Sequence, residues 1–290
     1  EVLKFQSALA LQCFTNEYIY NQTDLETTAL EVLESEVKNG FLRGNQPSSQ
    51  IVLCLASYKA LNKYKWYDSL DVTPELEEVT ERQVLQHQRE HRLKIDIPVL
   101  EKVTNEVSLK VTNQYEERPY PKWVNMGLPL KSLPISEVVR LLDLKLTNPA
   151  INDIKNPNIL IAGCGTGQHS IGTASIFKNS KVLAIDLSLS SLAYAKRKSE
   201  ELNFRQIEYL QADILDLQKL GKKFDIVESV GVLHHMSDPL LGWKNLSECL
   251  KPGGLMKIGL YSESARKDIL KIRKEIEEAG IGSSEIEMKS

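Results

Sequence analysis

Four cysteines in 290 residues, at positions 13, 54, 164 and 249 with no CxxC pair, leave neither a disulfide framework nor a cysteine-built metal site to organise this chain. Cys164 lies inside a glycine-rich turn where a disulfide would obstruct a ligand, so reduced thiols and a cytoplasmic protein are expected. No apolar run approaches the roughly 18 residues that a membrane-spanning helix needs, and no signal peptide opens the sequence. A strong excess of one charge is also missing. The formal net charge of −3 offers no basic field to nucleic acid or to an anionic membrane, so neither is favoured as a partner. The chain begins at Glu1 rather than methionine and is expected to be part of something longer.

What is present is concentrated at residues 158–172, NILIAGCGTGQHSIG. A short apolar run suits a strand buried on both faces, then stops in glycines where a helical pattern begins. Gly163, Gly165 and Gly167 allow backbone conformations that a Cβ forbids and leave room for a ligand against the main chain. Such a turn serves a nucleotide-type ligand or merely tight packing. The order of elements downstream favours the ligand. KVLAID ends at Asp186, 23 residues after Gly163 and close to the roughly 20 expected of an acid that binds a ribose. Two more strand-like runs follow, IEYLQAD ending at Asp213 and FDIVESVGV ending near Gly231, each with polar or small residues at the end where open α/β sheets place ligands. The pyrophosphate fingerprint G-x-G-x-x-G is broken by Gln168, which weakens a dinucleotide reading.

Residues 158–262 resemble the core of class I S-adenosylmethionine-dependent methyltransferases through the ordered set AGCGTG, AIDLS, QADILDL, GVLHHMSDP and LKPGG. The resemblance implies that Gly163, Cys164, Gly165 and Gly167 pass under the methionine portion of S-adenosylmethionine and that Asp186, with Leu187 beside it, holds the ribose. It implies that Asp213 accepts from the adenine amino group, that Ile214 packs on the ring, and that Ser229 to Gly231 line the amino-acid end of the cofactor. For both acids the alternative is a helix N-cap or a solvated loop carboxylate. The fold expected is a Rossmann-like, doubly wound α/β sheet of order 3-2-1-4-5, the terminal strands usual in this class being absent for want of length.

Residues 1–110 read as an all-α N-terminal domain. Phe5, Leu9, Leu11, Cys13, Phe14 and Ile19 cover more than one face of a first helix, as in a helix buried among others. Thr23-Asp-Leu-Glu26 is a capping box for a second, which Gly40 ends; Ser48 or Ser49 caps a third, and Thr73-Pro74 opens a fourth. No 34-residue self-similarity marks a tetratricopeptide array. His87 and His91 match H-x-x-E-H, but the surrounding QHQREHRLK is polar throughout and offers no third ligand, so a solvated helix face is expected and no metal.

Residues 111–134 hold Tyr115, Tyr120 and Trp123 among Pro119 and Pro121, which exclude a regular helix. The stretch QYEERPYPKW, like QCFTNEYIY at 12–20, resembles bacterial proteins that fuse repeat-type helical regions to a methyltransferase domain. It serves as a lid that turns Tyr120 or Trp123 toward the sulfonium, where an aromatic face attracts a cation, or as an aromatic hinge. Residues 135–290 form the cofactor-binding domain. A helix at 135–146 precedes the first strand, and a last helix carries Ala265, Ile269, Ile272 and Ile276 on one stripe. His234 and His235 follow the fourth strand and are candidate bases, unless one orders the loop and the other is solvated; Glu228 is as well suited to a structural role. The expected function is methyl transfer by in-line displacement to a protein side chain or small molecule. A non-catalytic S-adenosylmethionine-binding or scaffold module is the alternative, and a nicotinamide-dependent oxidoreductase falls on Gln168.

Overall fold

A computed structural model describes residues 1–117, 119–262 and 264–282. The chain divides into two compact units, Glu1–Arg89 with the segment from Arg266 onward, and Glu90–Ala265.

The first unit is helical. Helix α1 (Val2–Thr15) buries Ala10, Leu11 and Cys13, while Phe5, Leu9 and Ile19 are exposed, so only one stripe is buried and Ile19 lies beyond the helix end. The capping box forms as its spacing demands: Glu26 N donates to Thr23 Oγ1 at 3.3 Å and Thr23 N donates to Glu26 Oε2 at 2.8 Å, opening α2 (Asp24–Leu42). Next come α3 (Ser49–Ala56), a 3₁₀ turn at Pro74–Leu76, α4 (Glu77–Thr80) and, after a π turn, α5 (Gln86–Ile95). Their apolar faces close a core of Leu11, Val52, Leu53, Leu55, Leu61, Trp66, Leu76 and Val79. His87 and His91 stand on α5, and among the described residues no group of His, Cys, Asp or Glu could hold a metal ion.

The second unit begins inside α5, some twenty residues before the domain boundary expected at 110. Contacts explain the shift: Leu93 and Ile97 pack against the core under the sheet, and Glu90 Oε1 accepts from the buried Arg197 Nε at 2.8 Å. Gln211 N donates to Pro98 O, and Leu100 N donates to Gln211 O, both at 2.9 Å. Helix α6 (Glu106–Glu117) follows, which corrects the expectation of an irregular linker from 111; the prolines end this helix rather than prevent it. Helix α7 (Ile135–Leu141) stops five residues short of the expected end, with Asp143 in the left-handed region at φ 49°.

Strands β1 (Asn158–Ala162), β2 (Lys181–Asp186), β3 (Ile207–Gln211), β4 (Phe224–Val230) and β5 (Leu250–Gly259) pair in parallel in the order β3-β2-β1-β4-β5. The two-residue alternation of a strand sends Ile159 and Ile161 to one core with Val182 and Ala184, and Leu160 and Ala162 to another with Leu183 and Ile185. Helices α8 (Gln168–Ile176), α9 (Leu189–Glu201) and α7 supply apolar side chains to the first core; α10 (Pro239–Glu248) and the 3₁₀ segment Ile214–Leu220 supply the second. This is the doubly wound, Rossmann-like architecture. Helix α11 (Lys267–Glu278) carries Ile269, Ile272 and Ile276, all exposed. Among the described residues no helix is long and apolar enough to cross a membrane.

Candidate cofactor site

The order of strands reverses between β1 and β4, and a crevice opens beyond the strand ends at such a switch point. There the chain forms a cavity of about 330 Å³. Its wall takes Gly163 and Gly165 from the turn after β1, Asp186 from β2, Asp213 and Ile214 after β3, and Gly231 after β4.

The turn is held mainly through its main-chain donors, with Thr166 Oγ1 donating to Pro121 O. Gly163 N donates to Ile185 O at 2.8 Å, and Gly165 N donates to Asp186 Oδ2 at 2.8 Å, while Ser188 N donates to Asp186 Oδ1 at 3.0 Å. The expected ribose acid therefore also braces the loop. Withdrawal from water raises its carboxyl above the ordinary range against these two donors, and Glu116 adds to the rise. Asp213 is 5% exposed, lines the cavity and caps the following turn, its Oδ1 accepting from Leu215 N at 2.9 Å. The N-cap that was the alternative for it is thus present, on a residue that also lines the cavity. Burial and the Asp186 carboxylate push the Cys164 thiol well up.

Leu187 and Tyr120 join the lining; Tyr120 is 71% exposed. Trp123 does not. It is buried, its Nε1 donates to Thr166 O at 3.0 Å, its N donates to Tyr194 OH at 3.1 Å, and its ring meets Tyr194 edge-on at 6.3 Å. Of the two aromatics offered as a lid, Trp123 is a structural peg against α9. Trp123→Phe should therefore cost about 1–2 kcal/mol of stability, read by urea unfolding, because the lost indole donor strands the Thr166 carbonyl.

Three other expected residues are not in the lining. Gly167 caps α8 and lies against Ala195 of α9. Ser229 is buried within β4, at 1% exposure. His234 packs its ring 4.0 Å from Tyr261 and 4.2 Å from His235, so of the two loop imidazoles His235 alone lines the cavity.

One wall escaped notice in the sequence. Val107, Val111 and Tyr115 stand four residues apart on α6, a helical stripe, and all three line the cavity with Asn105 and Ser108. Tyr115 O and Glu116 tie α6 to the start of α9: Ser188 Oγ donates to Tyr115 O at 3.1 Å, and Ser190 N donates to Glu116 Oε1 at 2.9 Å. His169, on the first turn of α8, also lines the cavity unanticipated, as do Ser191, Met236 and Tyr261.

The described wall suits an adenosyl ligand. A Cβ on Gly165 would stand in the cavity with Tyr120 O, at 3.5 Å, as its nearest neighbour, so the glycine leaves main chain for a ligand to lie on. Carboxylates at the ends of neighbouring strands accept from hydroxyl and amino donors, and Leu187 and Ile214 give a flat ring apolar contact.

Fold and site define a nucleotide-type, doubly wound α/β domain. Residues 159–254 match a protein family described as methyltransferase domain. The chain is 36% identical over 121 residues to an uncharacterized protein of Synechococcus sp., covering 41% of this chain and 29% of that one. It is 33% identical over 132 residues to the ubiquinone biosynthesis O-methyltransferase of Coxiella burnetii, covering 46% of this chain and 53% of the enzyme. The chain thus spans about half or less of the length of these relatives. Magnesium protoporphyrin IX methyltransferase of Synechocystis PCC 6803, solved with S-adenosylmethionine bound, superposes with TM-score 0.36 and 19% identity over 52% of this chain and 75% of its own.

Proposed function

We propose that this protein transfers a methyl group to a protein side chain or small molecule, joining a helical region to a methyltransferase domain in the manner of the bacterial fusion proteins it resembles. The supporting observation is convergence: the main chain at Gly163 and Gly165 and the carboxylates of Asp186 and Asp213 all border one cavity at the sheet's switch point. S-adenosylmethionine, when bound, supplies a methyl group already made electrophilic by its sulfonium. The protein's task is then to orient an acceptor and keep water out, and such positioning is worth about 7–11 kcal/mol. Asp186 and Asp213 hold hydroxyl and amino donors, Leu187 and Ile214 pack on a flat ring, and the exposed Tyr120 borders the mouth. The small negative net charge favours an acceptor other than nucleic acid.

Calorimetry with S-adenosylmethionine, S-adenosylhomocysteine and NAD tests the reading; binding of the first two and not the third is expected, and NAD binding alone would sink it. Labelled methyl transfer to a cell extract then separates an enzyme from a module that binds the donor without turnover.

A further inference from the structure

Strand β3 is an edge of the sheet, and its outer side is only partly paired among the described residues. Parallel pairing turns alternate residues toward the neighbouring strand. Val182 N donates to Gln206 O at 3.0 Å and Ala212 N donates to Asp186 O at 3.1 Å, so Gln206, Glu208, Leu210 and Ala212 face β2. The main-chain groups of Ile207, Tyr209 and Gln211 therefore face outward. Gln211 commits both of its groups, to Pro98 and Leu100, in a bridge centred on Val99. No such bridge reaches Ile207 or Tyr209, so each leaves an N–H and a C=O on an open edge. They border a groove of about 560 Å³. Leu183 and Leu210, from the core on one face of the sheet, give it an apolar floor with Leu100 and Leu220 packed against them. Lys196 of α9 and the exposed Lys222 stand at its rim with no ion pair among the described residues, and Glu208 is the single acid of the lining.

We infer that this edge is a docking site for a partner protein, which adds an extended segment of alternating acidic and apolar residues to the sheet beside Ile207 and Tyr209. Main-chain bonds to those two residues supply the attachment, and side chains on alternate faces supply the selectivity. The alternation follows from the period of a strand. Apolar side chains of the incoming segment lie on the leucine floor, and acidic ones turn to the opposite face, where α9 carries Lys196. Lysines beside an open edge keep a neutral or basic strand away; toward an acidic strand they are complementary. The groove shares no lining residue with the cofactor cavity, so the inference stands or falls apart from the function proposed above.

The probe is a terminally blocked, fluorescein-labelled octapeptide of alternating Glu and Val, titrated against the full chain by fluorescence anisotropy. Saturable binding is expected, weakened by salt and about tenfold tighter than that of the Lys–Val peptide of equal length. Residue-resolved hydrogen exchange by NMR reads the geometry without a variant. In the free chain the amides of Ile207 and Tyr209 should exchange faster than those of Glu208 and Leu210, which face β2, and the Glu–Val peptide should slow the first two. Methylating the peptide nitrogens at alternate residues removes the donors of one edge, so one of the two methylation patterns should abolish binding and the other spare it. Lys196→Glu combined with Lys222→Glu should weaken the Glu–Val peptide about tenfold and leave the urea midpoint unchanged; the wild-type exchange data decide if that variant fails to fold. No saturable binding, equal binding of the Lys–Val peptide, or binding that leaves Ile207 and Tyr209 unprotected would overturn the inference. Protection of the same amides that grows with protein concentration in the absence of peptide would also overturn it, and would give the edge to a second copy of this chain.

Discussion

Asp186→Ala is expected to weaken S-adenosylhomocysteine binding about 100-fold in calorimetry while the protein stays folded. The carboxylate braces the turn through Gly165 N and Ser188 N, and on the proposed reading it also accepts from the ribose hydroxyls. Losing the ribose bonds and loosening the turn together costs about 3 kcal/mol of binding, each charge-assisted bond being worth roughly 1.5–3 kcal/mol. Stability should respond differently. Because burial raises this carboxyl, the native state binds its proton more tightly than the unfolded chain does. Its contribution to stability is thus complete below the ordinary aspartate value of about 4 and is lost as pH climbs through the raised value. Near neutrality the ionised group costs stability, which offsets the two backbone donors that the variant strands. Urea unfolding across pH should show wild type losing ground to Asp186→Ala through that window. Unchanged ligand affinity in the variant would remove Asp186 from the site.

Gly167→Ala is expected to destabilise the sheet unit by about 3 kcal/mol. Gly167 holds φ +91°, where a residue with a side chain costs roughly 1–2 kcal/mol. An added Cβ would also meet Ala195 Cβ at 2.7 Å and Ala195 Cα at 3.0 Å. Those atoms belong to the body of α9, with no flexible side chain to swing aside, so overpacking adds a further 1–3 kcal/mol. The urea midpoint should fall with an unchanged slope. A variant of wild-type stability that binds S-adenosylhomocysteine poorly would return Gly167 to the role of cofactor contact.

These two variants separate residues that the same motif places side by side. The run AGCGTG announces a ligand turn, but three glycines at two-residue spacing look alike in sequence, and only their neighbours tell them apart. Gly165 faces open cavity, and Gly167 faces a helix whose contact residue is 28 positions away. The same limit hid His169: Glu228, 59 residues on, is unremarkable in a strand until β4 and α8 bring the pair within 2.6 Å. By contrast the capping box at Thr23 and the end of β2 at Asp186 were legible, because each rests on contacts or periodicities spanning a few residues; the third strand ends at Gln211, two residues before the expected Asp213. Residues 111–117 were misjudged because two prolines downstream outweighed the spacing of Val107, Val111 and Tyr115.

By itself the sequence determined the alternation that buries both sheet faces, the right-handed crossovers that order the strands 3-2-1-4-5, and the acids that stand at their ends. Those follow from local sterics and the chirality of the chain. Which candidates share a cavity, which merely pack against α9, and which imidazole gains a carboxylate partner were decided by the tertiary structure alone. Such pairings join segments tens of residues apart, and no local pattern encodes the distance between them.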